Sequence, residues 1–512
     1  MSTARIAVDA DRPIGAIDRR MYGVLVEHLG RCVYTGIFEP DHPAADEHGL
    51  RRDVMELVRE LGVTVARYPG GNFVSNYRWE DGVGPLARRP RRLELAWHST
   101  EPNTFGTDEF MTWCRLAGVE PMMALNLGTR GEEDAVNLLD YVNGRADTDY
   151  ANLRRANGHD EPYDVRMWCL GNEMDGPWQV GHKSAEDYAR LALSTARAMH
   201  MVDRGLELVA CGSSAWEMPT FGDWERTVLE LGYDEIDYIS MHRYIDPAAQ
   251  DRADLLAAGV DLDRFIDGVI ATADAVGAKR RSDKKIKISV DEWNVWRISE
   301  WNAIEHGFDP GDWPLAPEKI EDVYTAADAL AVGGLLISLL RHADRVKAAC
   351  LAQLVNVIAP IMTEKGGRAW RQTIFHPFAT ASRIARGTAY DAVVAGPLTA
   401  TGRYGEVEAL DAVVTWDEQT ATGSLLALNR SLTESLDVTA ALGGLGEPGR
   451  IRPDPRPRGP RRLQHRRRAR RRRARRPPGR ARRRRADHHP APGQLARRRT
   501  GLNPGFPTPI PH

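Results

Sequence analysis

Gly171-Asn172-Glu173-Met174-Asp175-Gly176-Pro177-Trp178 and, 119 residues further on, Val290-Asp291-Glu292-Trp293-Asn294-Val295-Trp296 decide how this chain reads. Each stretch follows a β-rich apolar run and sets a glutamate where the run stops. A gap of 119 residues is roughly three strand-helix units of about 40 residues, as a (β/α)8 barrel requires. Two carboxyls on opposite sides of a bond are the minimum equipment for cleaving a glycosidic linkage. Either stretch alone is ambiguous, since an Asn-Glu dipeptide can be a loop or helix cap and an Asp-Glu-Trp turn a structural cap. The pair, at the ends of the fourth and seventh runs, points to a glycosidase. Trp293 and Trp296 flank the second glutamate, and aromatic faces are what a sugar cleft uses.

Working outward, eight strand-like runs each end in polar residues: Tyr22–Glu27, Val63–Arg67, Pro121–Asn126, Val165–Leu170, Leu206–Cys211, Tyr238–His242, Ile286–Val290 and Ala348–Val355. Between them, apolar residues recur at 3–4 spacing, as in Arg51–Leu61, Ala185–His200, Phe265–Val276 and Val323–His342, which predicts helices. Gly62 and Gly277 stand where C-cap glycines belong. Eightfold alternation predicts an α/β fold, a closed parallel (β/α)8 TIM barrel over residues 16–374 with its chemistry at the C-terminal strand ends. An open doubly wound sheet alternates similarly, but the count of eight favours closure.

From about Phe375 short alternating segments such as Val407–Val414 and Ser424–Asn429, broken by Gly, Thr and Asp, predict antiparallel β. A C-terminal β-sandwich over 375–449 is expected, with residues 1–15 supplying it a strand. From Arg450 the pattern stops. Residues 450–512 hold 23 arginines, no lysine and two acids, so 46 of the basic and 69 of the acidic residues fall in 1–449. An Arg/Pro-rich segment with almost no aliphatics cannot bury a core and is expected to be disordered. An arginine-only tail on so acidic a body reads as a shifted reading frame, which would leave the sandwich truncated.

An acidic body suits a neutral substrate better than a polyanionic one. Five scattered cysteines, Cys32, Cys114, Cys169, Cys211 and Cys350, form no CxxC pair and read as reduced thiols of a cytoplasmic protein. The N-terminus has no apolar h-region, and no run approaches 18 apolar residues, so neither a signal peptide nor a membrane span is expected. HExxH, GxxxxGK[ST] and GxSxG motifs are all missing, and no His/Cys cluster has metal-ligand spacing, so no metal and no cofactor is proposed. The arginine run 461–485 could meet nucleic acid electrostatically, but it lacks interleaved aromatics or a folded frame.

The remaining strand ends carry Glu27-His28, Arg67 through Asn72, Asn126, Ser213-Ser214, His242-Arg243-Tyr244, Gln353 and Asn356. Polar groups converging on one rim are what orienting a polyhydroxylated ring requires. Tyr22-Gly23 through Arg31, Arg67 through Phe73, Gly171 through Gln179, Met241 through Tyr244 and Asp291 through Trp296 closely resemble the α-L-arabinofuranosidases of glycoside hydrolase family 51, from near residue 5 to about 445. The resemblance implies a barrel with a packed sandwich, retention of anomeric configuration, and a homohexamer. It implies that Glu173 is the acid/base and Glu292 the nucleophile. It also implies that Glu27, Asn72, Asn172, Tyr244 and Gln353 hold the arabinose ring, and that His242, Trp97 and Trp296 line the pocket. The chain departs from the family in its arginine tail. Two rivals remain: an endo-β-1,4-glucanase or xylosidase on the same barrel, and a catalytically silent carbohydrate- or nucleic-acid-binding protein.

Overall fold

A computed structural model describes residues 2–305, 309, 311–443 and 445. The tail expected to be disordered, and its reading as a frameshift, lie outside the described residues.

Eight parallel strands close into a barrel: Gly23–Leu25, Val65–Tyr68, Glu120–Ala124, Met167–Leu170, Glu207–Ala210, Tyr238–Ile245, Lys287–Val295 and Val346–Leu351. They are called here the first to the eighth strand. The last pairs with the first through Cys350 and Leu351 opposite Gly23 and Val24, which leaves no open edge. Side chains alternate along each strand. Val65, Met122, Met167, Val209, Tyr238, Ala348 and Cys350 fill the interior, while Ala66, Tyr68, Met123, Trp168, Leu170 and Ile288 belong to the larger core cluster.

The helices form where the 3–4 periodicity runs, and Arg52–Leu61 buries Val54, Met55, Leu57, Val58 and Leu61 on one face. It ends at Gly62, whose φ of 78° is left-handed, as a C-cap glycine should be. Gly277 corrects the sequence reading. It lies inside the helix Ala258–Arg280, which ends at Arg281 instead. A Cβ at Gly277 would stand 2.4 Å from the Tyr233 hydroxyl, so close packing explains this glycine, not a cap.

The change of texture expected at Phe375 also comes later. Phe375–Ile384 is a helix, with Phe378 packed against Trp293 and Tyr22 of the barrel. Its run of small residues hid a helical face that only barrel packing makes clear. Beyond it, Pro13–Ala16, Thr388–Tyr390, Leu410–Asp417 and Thr422–Asn429 form an antiparallel sheet. Ser2–Asp9 lies between Val393–Ala395 and Leu436–Gly443 in a second sheet. Its pairing with Leu436–Gly443 is parallel, so the sheets are not wholly antiparallel. Strands this far apart in sequence share no hairpin turn to force the opposite direction. Ala4, Ile6, Val8, Tyr390, Leu410, Ala412 and Val414 make the core of these sheets. All five cysteines are buried and free. Among the described residues, no helix is long and apolar enough to cross a membrane.

Candidate active site

At the C-terminal end of the barrel, charged side chains meet where the strands stop. Glu173 follows the fourth strand after Gly171, whose φ is 101°, and itself adopts a φ of 44°. A left-handed glutamate costs about 1–2 kcal/mol, and such strain clusters at working sites. Its carboxylate accepts Trp178 Nε1 at 2.7 Å on one oxygen and contacts His242 Nδ1 at 2.8 Å with the other.

Glu292 lies in the seventh strand, where register shifts interrupt the pairing on both sides. In a regular strand Asp291 and Glu292 would face opposite ways; a bulge lets both turn inward. Glu292 accepts Arg67 Nη1 and the Tyr244 hydroxyl, each at 2.8 Å. Asp291 meets His242 Nε2 at 3.0 Å and lies 3.6 Å from Arg67 Nε. Carboxylate oxygens of Glu173 and Glu292 and a ring nitrogen of His242 all lie within 4.8 Å of one another.

The electrostatics follow from burial and crowding. Burial disfavours a charged His242, but Glu292, Asp291 and Glu173 outweigh it and hold the imidazole well above its usual range. Both nitrogens then carry protons that face carboxylates. Glu173, His242 and Glu292 could by donor type hold a cation, but a protonated imidazole has no lone pair to give. Burial also raises the Glu292 carboxyl; Glu173 adds to the rise, while His242, Arg67 and Tyr244 oppose it.

A second group centres on Glu27, just past the first strand. It accepts Phe73 N–H at 3.0 Å and Trp97 Nε1 at 2.7 Å on one oxygen, and Gln353 Nε2 at 2.8 Å on the other. Burial and the Glu292 charge push its carboxyl to about 8. Gly71 lies against it: a Cβ there would come within 2.2 Å of a Glu27 oxygen, so only glycine fits. Asn172 joins the groups, accepting Arg67 Nη2 at 2.8 Å and donating to Asn72 at 3.2 Å. Trp296 is partly buried, its ring edge-on to Tyr244 at 5.1 Å.

All ten residues singled out from the sequence thus lie in this linked set. Several other polar strand ends are engaged with the protein itself. Asn126 is spent on Tyr77 O and Thr129, Asn356 on Arg31 O and Thr363, and His28 on Glu101 and Tyr68. Ser214 holds Asp175, and Arg243 pairs with Asp261 and Glu217. These tie loops down, so convergence of polar groups on the rim overstated how many face a ligand.

Comparison with known proteins points to one family. Residues 57–257 match the alpha-L-arabinofuranosidase 1 domain and residues 291–452 the alpha-L-arabinofuranosidase C-terminal domain. An intracellular exo-α-(1→5)-L-arabinofuranosidase of Acetivibrio thermocellus is 52% identical, over 87% of this chain and 88% of its own. Its counterpart in Streptomyces lividans is 54% identical, over 87% of this chain and 67% of its own. The solved structure of a family 51 α-L-arabinofuranosidase from Bifidobacterium longum superposes with a TM-score of 0.82, at 52% identity over 86% of this chain and 88% of that one.

This chain belongs to the α-L-arabinofuranosidases of glycoside hydrolase family 51. The rival glucanase, xylosidase and binding-protein readings are not favoured by these relatives. In this family 51 enzyme the sequence reading set Arg67 on the rim without giving it a role, and it passed over Asp291 and Trp178 as site residues. Arg67 ends a predicted strand and the others flank the glutamates, so position could have flagged them. Their partners lie 225, 49 and 5 residues away, respectively.

Proposed function

We propose that Glu292 and Glu173 carry out a double displacement on terminal α-L-arabinofuranosyl groups. Glu292 attacks the anomeric carbon while Glu173 protonates the departing oxygen. Glu173, then a base, takes a proton from water, which releases arabinose and restores both carboxyls. The protein is an exo-acting α-L-arabinofuranosidase, a glycoside hydrolase. The retaining course is the part proposed.

The observation that carries it is the approach of the two carboxyls. Their nearest oxygens lie within 4.8 Å, which suits the roughly 5–5.5 Å separation of retaining enzymes better than the 6.5–9.5 Å that leaves room for an inverting water. Arg67 and Tyr244 hold Glu292 by donating to it, which favours the ionised nucleophile. Trp178 and His242 orient Glu173. Glu27, Asn72, Asn172, Tyr244 and Gln353 would hold the furanose hydroxyls, with His242, Trp97 and Trp296 lining the hollow. No cofactor enters, since water alone balances the cycle.

Relatives are named for exo-α-(1→5) and, in one from Bifidobacterium longum, exo-α-(1→6) action. Short arabinose-containing oligosaccharides are therefore the proposed substrates, used inside the cell for L-arabinose metabolism, by a homohexamer. Hydrolysis of p-nitrophenyl α-L-arabinofuranoside in methanol, followed by NMR, tests the stereochemistry. Methyl α-L-arabinofuranoside as first product is expected, and the β anomer would overturn retention. Turnover of aryl xylopyranosides or glucopyranosides at comparable rates would overturn the sugar, and light scattering below six chain masses the hexamer.

A further inference from the structure

Trp97 sits at the tip of a small antiparallel hairpin, Arg92–Glu94 against Ser99–Glu101. Its indole reaches the Glu27 carboxylate, yet nothing in a two-stranded hairpin of this size would keep an indole in one place. Besides the packing of the indole in the core, the backbone of Trp97 is gripped at both its N–H and its carbonyl. Glu94 accepts the N–H of Ala96 at 2.9 Å and of Trp97 at 2.6 Å. Lys319 donates its ammonium to the Trp97 carbonyl. Both gripping side chains are buried, at 2% and 7% exposure, and the Lys319 charge acts on the Glu94 carboxyl.

Burying a charge in a loop is costly unless it is paired and hydrogen-bonded. Two buried ionisable groups spent on the backbone of one residue imply that its position matters. Burial raises the Glu94 carboxyl to about 7, with the Trp97 and Ala96 N–H groups and Lys319 opposing. Lys319 comes from the segment between the helices Ile298–Glu305 and Ala326–Arg341, after the strand that carries Glu292. The clamp thus refers Trp97 to the same strand-loop unit as Glu292. The same seam is held at further points: Thr100 donates its N–H to Pro314 O at 3.0 Å and its hydroxyl to Trp313 O at 2.7 Å, and the His98 ring lies 3.9 Å from the Trp313 ring.

We propose that Glu94 and Lys319 are positioning residues: by holding the Trp97 backbone at its N–H and its carbonyl they fix the indole on Glu27 and so set the affinity for the furanoside ring. This rests on the reading of Glu27 and Trp97 as residues that face the sugar.

Steady-state kinetics of the full chain on p-nitrophenyl α-L-arabinofuranoside test it with E94Q, K319M, K319R, W97F and the doubles E94Q/W97F and K319M/W97F. Removing one charge-assisted hold should raise KM roughly three- to tenfold, more than it lowers kcat. K319R should recover most of the loss. Because Glu94 and Lys319 act through the indole, each double should be no worse than W97F alone. Wild-type KM in E94Q and K319M beside a raised KM in W97F would overturn the clamp. So would penalties that multiply in the doubles, or a lowered melting temperature with KM unmoved. An unchanged KM in W97F would instead remove Trp97 from the pocket, a different failure.

Discussion

The two ends of the barrel use the same residue types to opposite effect. At its N-terminal floor Arg20 binds Glu120 Oε1 through Nε at 2.9 Å and Glu207 at 2.8 Å; the Tyr238 hydroxyl donates to Glu207 at 2.7 Å, and Lys287 lies 3.6 Å from it. Two carboxylates meet two cations there, each partly open to water. Burial works against ionisation of Glu207, but Tyr238, Arg20 and Lys287 hold it below the usual range. At the mouth Glu173, Asp291 and Glu292 crowd around Arg67 and His242, and Glu27 lies near enough to feel the Glu292 charge, so in this set four carboxyls accompany two cations, all of them buried. Glu27 rises to about 8 and Glu292 rises with it. A balanced, half-wet cluster spends its charge on itself, whereas an unbalanced dry one keeps carboxyls in a state that chemistry can use.

That contrast predicts its largest effect at Glu292. Glu292→Ala should cut turnover by about 10⁴-fold or more, with circular dichroism unchanged, whereas Glu207→Gln at the floor should keep turnover within about twofold. Comparable losses from the two would erase the distinction. Glu173→Ala should lose about 10²- to 10⁴-fold on unactivated leaving groups. It should lose far less on p-nitrophenyl arabinofuranoside, where azide should restore part of the rate; equal losses on both substrates would show that Glu173 donates no proton.

A third, smaller effect belongs to the floor. Arg20→Ala removes two partly shielded ion pairs and should lower stability by about 2 kcal/mol, read as a shift of the urea midpoint, while kcat/KM stays put. A fall in kcat/KM without a midpoint shift would mean that the floor couples to the mouth.

The smallest effect sharpens the comparison at Asp175. Its carboxylate takes the Ser214 N–H at 3.1 Å, and burial, with Glu173 adding to it, raises it to about 7 from an ordinary 3.8. Between those values the folded chain keeps a proton that the unfolded chain releases, so this group's contribution to stability falls as pH rises through that window. Asp175→Asn removes the titration. Relative to its parent the variant should gain about 1 kcal/mol on going from pH 6 to pH 7, measured by denaturant unfolding at each pH. A difference that does not vary with pH would place Asp175 among the balanced groups.

Periodicity alone determined the architecture. Apolar residues two apart and three to four apart alternate eight times, and each strand-like run ends in the residue types that a barrel mouth displays. Glu173 and Glu292 were legible for that reason: each stands where its pattern breaks. The helix Phe375–Ile384 and the in-helix Gly277 were not, because a barrel partner decides each: Trp293 for the helix face, Tyr233 for the glycine. Other features belong to the tertiary structure entirely. A bulge turns two successive residues, Asp291 and Glu292, onto one cluster; closure brings Arg67 to a carboxylate 225 residues away; and a hairpin tip carries Trp97 to Glu27. Local pattern is set by a residue's neighbours in the chain, so a sequence can display it. Register, bulges and long-range pairing are set by which strands meet and where, and those are settled only when the sheet closes on itself.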